Sequence, residues 1–326
     1  MTRSIDKEHD ELEIRELHPT YGADISGLDF SKPIVDRVFK QILAASAKYG
    51  VLVFRSTGLD DAGHIAFSRR FGDNLFDMRD FLPKGTRTRV NTKLADLSNI
   101  DAATGKPMVP DTAGAHLANL TSYFHADLSY NPVHAKFSIL KAHQLPPPGY
   151  GGNTEFTDMR TAFEDLGEVE EGLKEELLDK NYVAAHSLKH LQKVSDPELF
   201  KDIDPAAFPM GKHKIVQFHE ESGRTSLYLG AYIHHIEGAP EETEQLAQLL
   251  EKLTKHAEQD KYRLGVEWKS PGDMILWDNR RVFETGLEGK TLTLSRRIVM
   301  HRAGPGKFAG KFIRDVRRAT VLDSGS

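Results

Sequence analysis

The chain has 326 residues, 28% of them charged and 39% hydrophobic, with a formal net charge of −5. This mildly acidic balance leaves no electrostatic footprint for nucleic acid or an anionic membrane, and no apolar run approaches the roughly 18 residues a span requires. Cysteine is absent, which excludes disulfides, thiolate metal sites and a cysteine nucleophile, so any metal must be held by nitrogen and oxygen.

In chain order, residues 1–13 are charged and are expected to form a flexible tail. Residues 34–50 place Val35, Val38, Phe39, Ile42 and Leu43 at helical spacing, and Gly50 ends that helix before a buried strand, 51–54. Asp60 and Asp61 cap a short helix that runs through Phe67 and stops at Gly72. Residues 85–99 are too polar and mixed to assign. Strands are then expected at 123–129, 135–140 and, after the break at Pro146, Pro147, Pro148 and Gly149, at 151–156. A helix is expected over 162–178, a strand over 182–187, and a hairpin from 215–219 and 225–229 turning through Gly223. Leu246, Leu249, Leu250 and Leu253 mark an amphipathic helix over 241–256. Strands 262–268 and 274–277 follow, separated by Pro271, Gly272 and Asp273. Many short strands with helical excursions predict a mainly β fold, a double-sheet jelly roll decorated by helices. No repeat, low-complexity tract or linker divides it, so residues 1–326 are expected to be a single domain. A charged opening segment and the lack of cysteine lead to the expectation of a cytoplasmic protein.

His125 and Asp127 stand two residues apart inside an aromatic, apolar strand-like run. Side chains two apart on a strand share a face, so both could point at one ion, and an oxygenase iron would need one further histidine. A buried unpaired carboxylate is costly without a cation, although a buried His–Asp hydrogen bond answers the same pattern. Four other histidines precede a carboxylate in the same way. His9 lies in the charged tail, and His256 falls late in a helix, where it can complement the C-terminus. His219 runs into a turn and is expected to be solvated. His234 and His235 would sit on opposite strand faces, leaving one to fill a core or pocket.

At this point the chain resembles the taurine/2,4-dichlorophenoxyacetate dioxygenase family of iron(II), 2-oxoglutarate-dependent oxygenases. The resemblance runs through 22–29, 51–54 and 65–72, then Phe124-His125-Ala126-Asp127-Leu128-Ser129, where the family usually has Trp before the His. It continues through Gly151-Gly152-Asn153-Thr154, 222–224, 234–238, 272–280 and the tail Arg314-Asp315-Val316-Arg317-Arg318-Ala319-Thr320. It implies a double-stranded β-helix with His125 and Asp127 as metal ligands, and Thr154 and Arg314 as anchors for the distal carboxylate of 2-oxoglutarate. Arg314, Val316, Arg318 and Thr320 alternate onto one face, and a guanidinium can grip a carboxylate through two parallel hydrogen bonds. A solvated basic edge strand is the plainer reading of the same residues.

The family's second histidine follows Trp-Asp-Asn-Arg closely, and Glu284 occupies that position here. Measured backward from Arg314, His301 fits instead, and residues 282–298 become an insertion that could form a flap. Imidazole suits iron better than a second carboxylate, so His301 is the favoured third ligand. The resemblance then implies iron(II), 2-oxoglutarate and dioxygen as the reagents, with release of succinate and carbon dioxide and hydroxylation of a small organic substrate. Arg318 is expected to face substrate or cosubstrate, pointing to an anionic substrate of sulfonate or aryloxy-acid type. A non-catalytic jelly-roll protein crippled by the insertion, and a zinc hydrolase on the same scaffold, are the competing classes. Homo-oligomerisation is left open.

Overall fold

The computed structural model describes residues 11–80, 82, 84–110, 112, 119–279, 281–285, 291–295, 299–304 and 306–323, with backbone alone for 281–285 and 291–295. His9 and most of the expected tail lie outside the described residues, as does part of the 282–298 stretch.

The centre is a seven-stranded sheet in the order Glu13–Glu16, Ala23–Ser26, Val51–Phe54, Met274–Asp278, Ala135–Gln144, Asp315–Leu322, Ala95–Asp96. Val51–Phe54 is buried on both faces, as its uninterrupted apolar run requires. On one side lie the helices Asp36–Tyr49 and Asp61–Arg69, which contribute Phe39, Ile42, Ala45 and Phe67 to a core shared with Leu52, Phe54, Phe137, Ile139 and Leu276. The Asp60 carboxylate starts the second helix by accepting from Gly63 N at 2.7 Å. On the other side a three-stranded sheet, ordered Arg263–Val266, Thr154–Asp158, Val299–Ala303, supplies Val266, Phe156 and Val299 to a second core with Val53, Leu140, Ile275, Trp277 and Val316. Two apolar layers thus share the long strand Ala135–Gln144. The site lies along the second.

The segment expected as one helix over 162–178 is split into Met159–Glu164, a 3-10 turn Asp165–Glu168 and Leu173–Lys180. Gly167 and Gly172 fall inside it and lower its helical preference. Two elements escaped the sequence reading. The helix Leu188–Ser195 is started by Ser187 Oγ, which accepts from His190 N at 3.1 Å, and the strand Gly211–Lys214 pairs with Val183–His186. The unassigned stretch 85–99 contains only the strand Ala95–Asp96. Arg281–Thr285 and Thr291–Ser295 form an antiparallel hairpin. Among the described residues no helix is long and apolar enough to cross a membrane.

His64 lies fully buried on the inner face of the second helix, its Nε2 donating to Ile139 O at 3.0 Å. Burial is the chief cause that lowers its pKa from 6.5 to about 4, outweighing the raising effect of that hydrogen bond. The folded state therefore refuses a proton that the unfolded chain accepts, so stability is intact above pH 6.5 and falls as the pH drops toward 4. Between pH 7 and pH 5 this single group costs about 2 kcal/mol. Urea unfolding at the two pH values should show His64→Gln losing about that much less stability than the unsubstituted chain; equal losses would contradict the assignment.

Candidate metal centre

The expected strand over 123–129 is replaced by a single bridge. His125 N donates to His301 O and His301 N to His125 O, each at 3.0 Å. On the opposite flank Ala231 N donates to Phe124 O at 2.9 Å, and a Cβ on Gly230 would stand 3.1 Å from His125 Cα. Gly230 also has φ +134°, so the close approach and the backbone conformation both demand glycine. Beyond this clamp the chain turns at once, with Leu128 at φ 54° and Asn131 N donating to Leu128 O at 3.0 Å. His125 and Asp127 thus converge because a bridge is followed by a turn, not because they share a strand face.

His301 is the middle residue of Val299–Ala303 and pairs with Phe156 in the neighbouring strand. Its ring centroid lies 4.4 Å from that of His125 and 4.5 Å from that of Trp277. Ligand-type atoms of His125, Asp127 and His301 all fall within 4.8 Å of one another, and all three residues are buried. No other group of three such residues meets that limit among the described residues. Asp127 Oδ1 is 3.7 Å from His125 Nε2 and 3.5 Å from His301 Nε2. Glu284, the other candidate, has its backbone in the hairpin strand Arg281–Thr285, and its side chain lies outside the described residues.

The electrostatics suit a cation. His125 Nδ1 lies 2.7 Å from Tyr123 O, a carbonyl that can only accept, so Nδ1 carries the proton and Nε2 presents its lone pair to the site. Burial, then the neighbouring His301, lowers the His125 pKa to about 3, which keeps the ring neutral. Burial alone would raise the Asp127 pKa, but the Arg318 guanidinium beside it pulls the carboxyl well below the usual range. Asp127 Oδ2 accepts from Ser138 Oγ at 2.6 Å, and Oδ1 meets an Arg318 guanidinium nitrogen.

A cavity of about 40 Å³ is walled by His125, His301, Thr154, Arg314 and Arg318 together with Leu97, Leu140, Trp277 and Val316. A second cavity of about 380 Å³ shares Leu97, Thr121, Arg302, Ala303 and Arg314 with it and adds Met108, Pro110 and Phe308. Arg314, Val316 and Arg318 share the wall, as their alternation predicted. The solvated edge-strand reading fails, because Asp315–Leu322 is paired with Ala135–Gln144 on one side and Ala95–Asp96 on the other. Arg314 is 7% exposed and forms no ion pair among the described residues; Nε donates to Gly152 O at 3.0 Å, and burial lowers its pKa to about 10. It is a buried cation still charged at neutral pH, and such a group calls for an anion. Thr154 Oγ1 is buried nearby without a hydrogen-bond partner among the described residues.

The sequence reading missed the groups behind these residues. Asn99 Oδ1 accepts from Arg314 N at 2.7 Å while its Nδ2 donates to Phe312 O at 2.9 Å, fixing the start of the tail strand. Asn99 lies in the stretch left unassigned, and only its non-local partners reveal its role. Two other histidine readings change, and His256 keeps its place in the last turn of its helix. His219 is fully buried rather than solvated, with Nδ1 2.8 Å from Ser222 Oγ and Nε2 3.4 Å from Glu221. His256 is buried with Nε2 on Ala162 O at 2.7 Å. A register irregularity between Ile233 and His235 brings the His234 and His235 rings together, Nδ1 to Nδ1 at 2.8 Å, instead of on opposite faces.

The family model described as "Taurine catabolism dioxygenase TauD, TfdA family" matches residues 13–283. The chain is 32% identical over 270 residues to an alpha-ketoglutarate-dependent 2,4-dichlorophenoxyacetate dioxygenase of Burkholderia sp. (strain RASC), covering 83% of this chain and 87% of that protein. It is 31% identical over 275 residues to an (S)-phenoxypropionate/alpha-ketoglutarate-dioxygenase of Sphingobium herbicidovorans, covering 82% and 87%. The crystal structure of AAD-2 with Mn(II) and N-oxalylglycine superposes with a TM-score of 0.75 at 27% identity, over 96% of this chain and 98% of that one. A match of this extent, joined to a buried cluster of two imidazoles and a carboxylate, places the chain in the TauD/TfdA family.

Proposed function

We propose that this chain is an iron(II)- and 2-oxoglutarate-dependent dioxygenase in which His125, Asp127 and His301 hold the metal. Thr154 and Arg314 anchor the distal carboxylate of 2-oxoglutarate, and Arg318 faces substrate or cosubstrate. The observation that carries this reading is the meeting of three buried donors, two of which, His125 and His301, wall a cavity together with a buried arginine that forms no ion pair among the described residues. Two imidazoles and one carboxylate form the donor set suited to non-haem iron(II), with positions left for other ligands. The unpartnered Thr154 hydroxyl and the Arg314 guanidinium fit an incoming carboxylate. The core is read as a double-stranded β-helix, in keeping with two apolar-faced sheets closing on one another. The 282–298 stretch is read as an insertion whose hairpin flaps beside the site.

Bound iron(II) supplies the centre at which 2-oxoglutarate and dioxygen are used to oxidise a substrate carbon, with release of succinate and carbon dioxide. The chain's own residues do the rest. The hydrogen bond from His125 to Tyr123 O holds one imidazole in the ligating tautomer. Asn99 and Gly152 O fix Arg314 at both its backbone and its side chain before any ligand arrives. Leu97, Leu140, Trp277 and Val316 exclude water and strengthen the charge pairing. The relatives are named for 2,4-dichlorophenoxyacetate and phenoxypropionate, and the adjoining cavity of about 380 Å³ has largely apolar walls beside arginines. A small aryloxy carboxylic acid is therefore the first substrate class to test, with sulfonates next.

Succinate formation should be followed with iron(II), 2-oxoglutarate and a panel of aryloxy acids and sulfonates. His125→Ala and His301→Ala should each cut coupled turnover by at least about 100-fold, the upper end of what losing an outer-shell contact alone costs. Turnover that survives in His301→Ala would contradict the triad. At Gly152, φ is +88° and an added Cβ would stand 3.1 and 3.2 Å from Arg314 Cδ and Nε. Gly152→Ala should therefore raise the KM for 2-oxoglutarate by roughly 10–100-fold, equivalent to losing a charge-assisted hydrogen bond. A KM unchanged from the parent enzyme would place the cosubstrate carboxylate elsewhere.

A further inference from the structure

We propose that Ser138 and Asn279 are positioning residues that hold Asp127 to a single metal-facing oxygen. The inference rests on the reading of His125, Asp127 and His301 as the ligands. Ser138 is fully buried on Ala135–Gln144, opposite Trp277 in the neighbouring strand. Its Oγ lies 2.6 Å from Asp127 Oδ2. An ionised carboxylate can only accept, so the hydroxyl proton points at Asp127. The hydroxyl's own acceptor position is filled by Asn279 Nδ2, which donates at 3.0 Å. Asn279 is in turn fixed to the same strand, because its backbone N–H donates to Lys136 O at 2.7 Å.

The direction of this chain matters. With its amide nitrogen toward Ser138, Asn279 cannot compete for the hydroxyl proton; with the amide oxygen there, it would draw that proton away from Asp127. The relay engages Oδ2, so the oxygen on the side of the cluster is Oδ1, which lies 3.7 and 3.5 Å from the two Nε2 atoms and also meets the Arg318 guanidinium. An aspartate binding through both oxygens would close a coordination position that cosubstrate and dioxygen need. Neither Ser138 nor Asn279 lines the cavity that His125, His301 and Arg314 wall. They set how many bonds Asp127 makes.

Mn(II) binding, read by titrating the free-ion electron paramagnetic resonance signal against full-length protein, tests this without turnover. Ser138→Ala should raise the Kd for Mn(II) by about 10–100-fold, the usual cost of losing an outer-shell partner. Ser138→Thr, which keeps the hydroxyl, should stay near the parent value. Asn279→Asp places an acceptor where the donor stood and should weaken binding in the same direction. Should circular dichroism show Ser138→Ala unfolded, Asn279→Asp decides. The proposal is overturned if the folded relay variants bind Mn(II) like the parent, or if Ser138→Thr loses as much as Ser138→Ala, which would reduce the effect to packing. His125→Ala separates the two levels. If it too binds like the parent, the ligand assignment fails; if it loses Mn(II) while the relay variants do not, only the relay fails.

Discussion

The reciprocal backbone hydrogen bonds between His125 and His301 are the constraint on which the site depends. They join a turn early in the chain to a strand near its end. One bridge fixes both imidazoles relative to each other before side-chain rotamers are chosen. The strand carrying His301 is held by Thr154–Asp158, so the same register that places the second histidine also places Thr154 opposite Ala303, on the cavity wall. A metal cluster and a carboxylate anchor are thereby built from one sheet edge. The chain can turn immediately after the bridge, and that turn swings Asp127 back toward the two rings.

Charge is distributed in two parts. Around Asp127, an arginine, a hydroxyl donor and two imidazoles surround one carboxylate. Around Arg314, the guanidinium donates to the Gly152 carbonyl and has no carboxylate partner among the described residues. The first part is satisfied by its neighbours together with a cation; the second waits for an anion. A dicarboxylate that reaches from metal to Arg314 would complete both, which is why the proposed cosubstrate fits the molecule's electrostatics as well as its family.

Much of this was legible in the sequence, though not always for the right reason. Aromatic residues around His125 read as a strand, since propensity cannot see that Gly230 and His301 clamp one residue and release the next. The alternation of Arg314, Val316 and Arg318 predicted their common face correctly, while their exposure was misjudged because pairing on both sides is a long-range fact. His219 looked like a turn residue and is buried under its own hairpin. Ser138 falls within the expected strand 135–140 and Asn279 within the family-like stretch 272–280, and neither was singled out. Only three-dimensional register reveals that they stand in line behind Asp127. Where function depends on which oxygen of a carboxylate faces inward, local sequence carries no signal.

The most direct measurement is the crystal structure of the protein loaded anaerobically with iron(II), with the metal located by anomalous scattering at the iron edge. One ion bonded by His125 Nε2, His301 Nε2 and a single oxygen of Asp127 is expected. An ion bonded by Glu284, or held without His301, would contradict that ligand set.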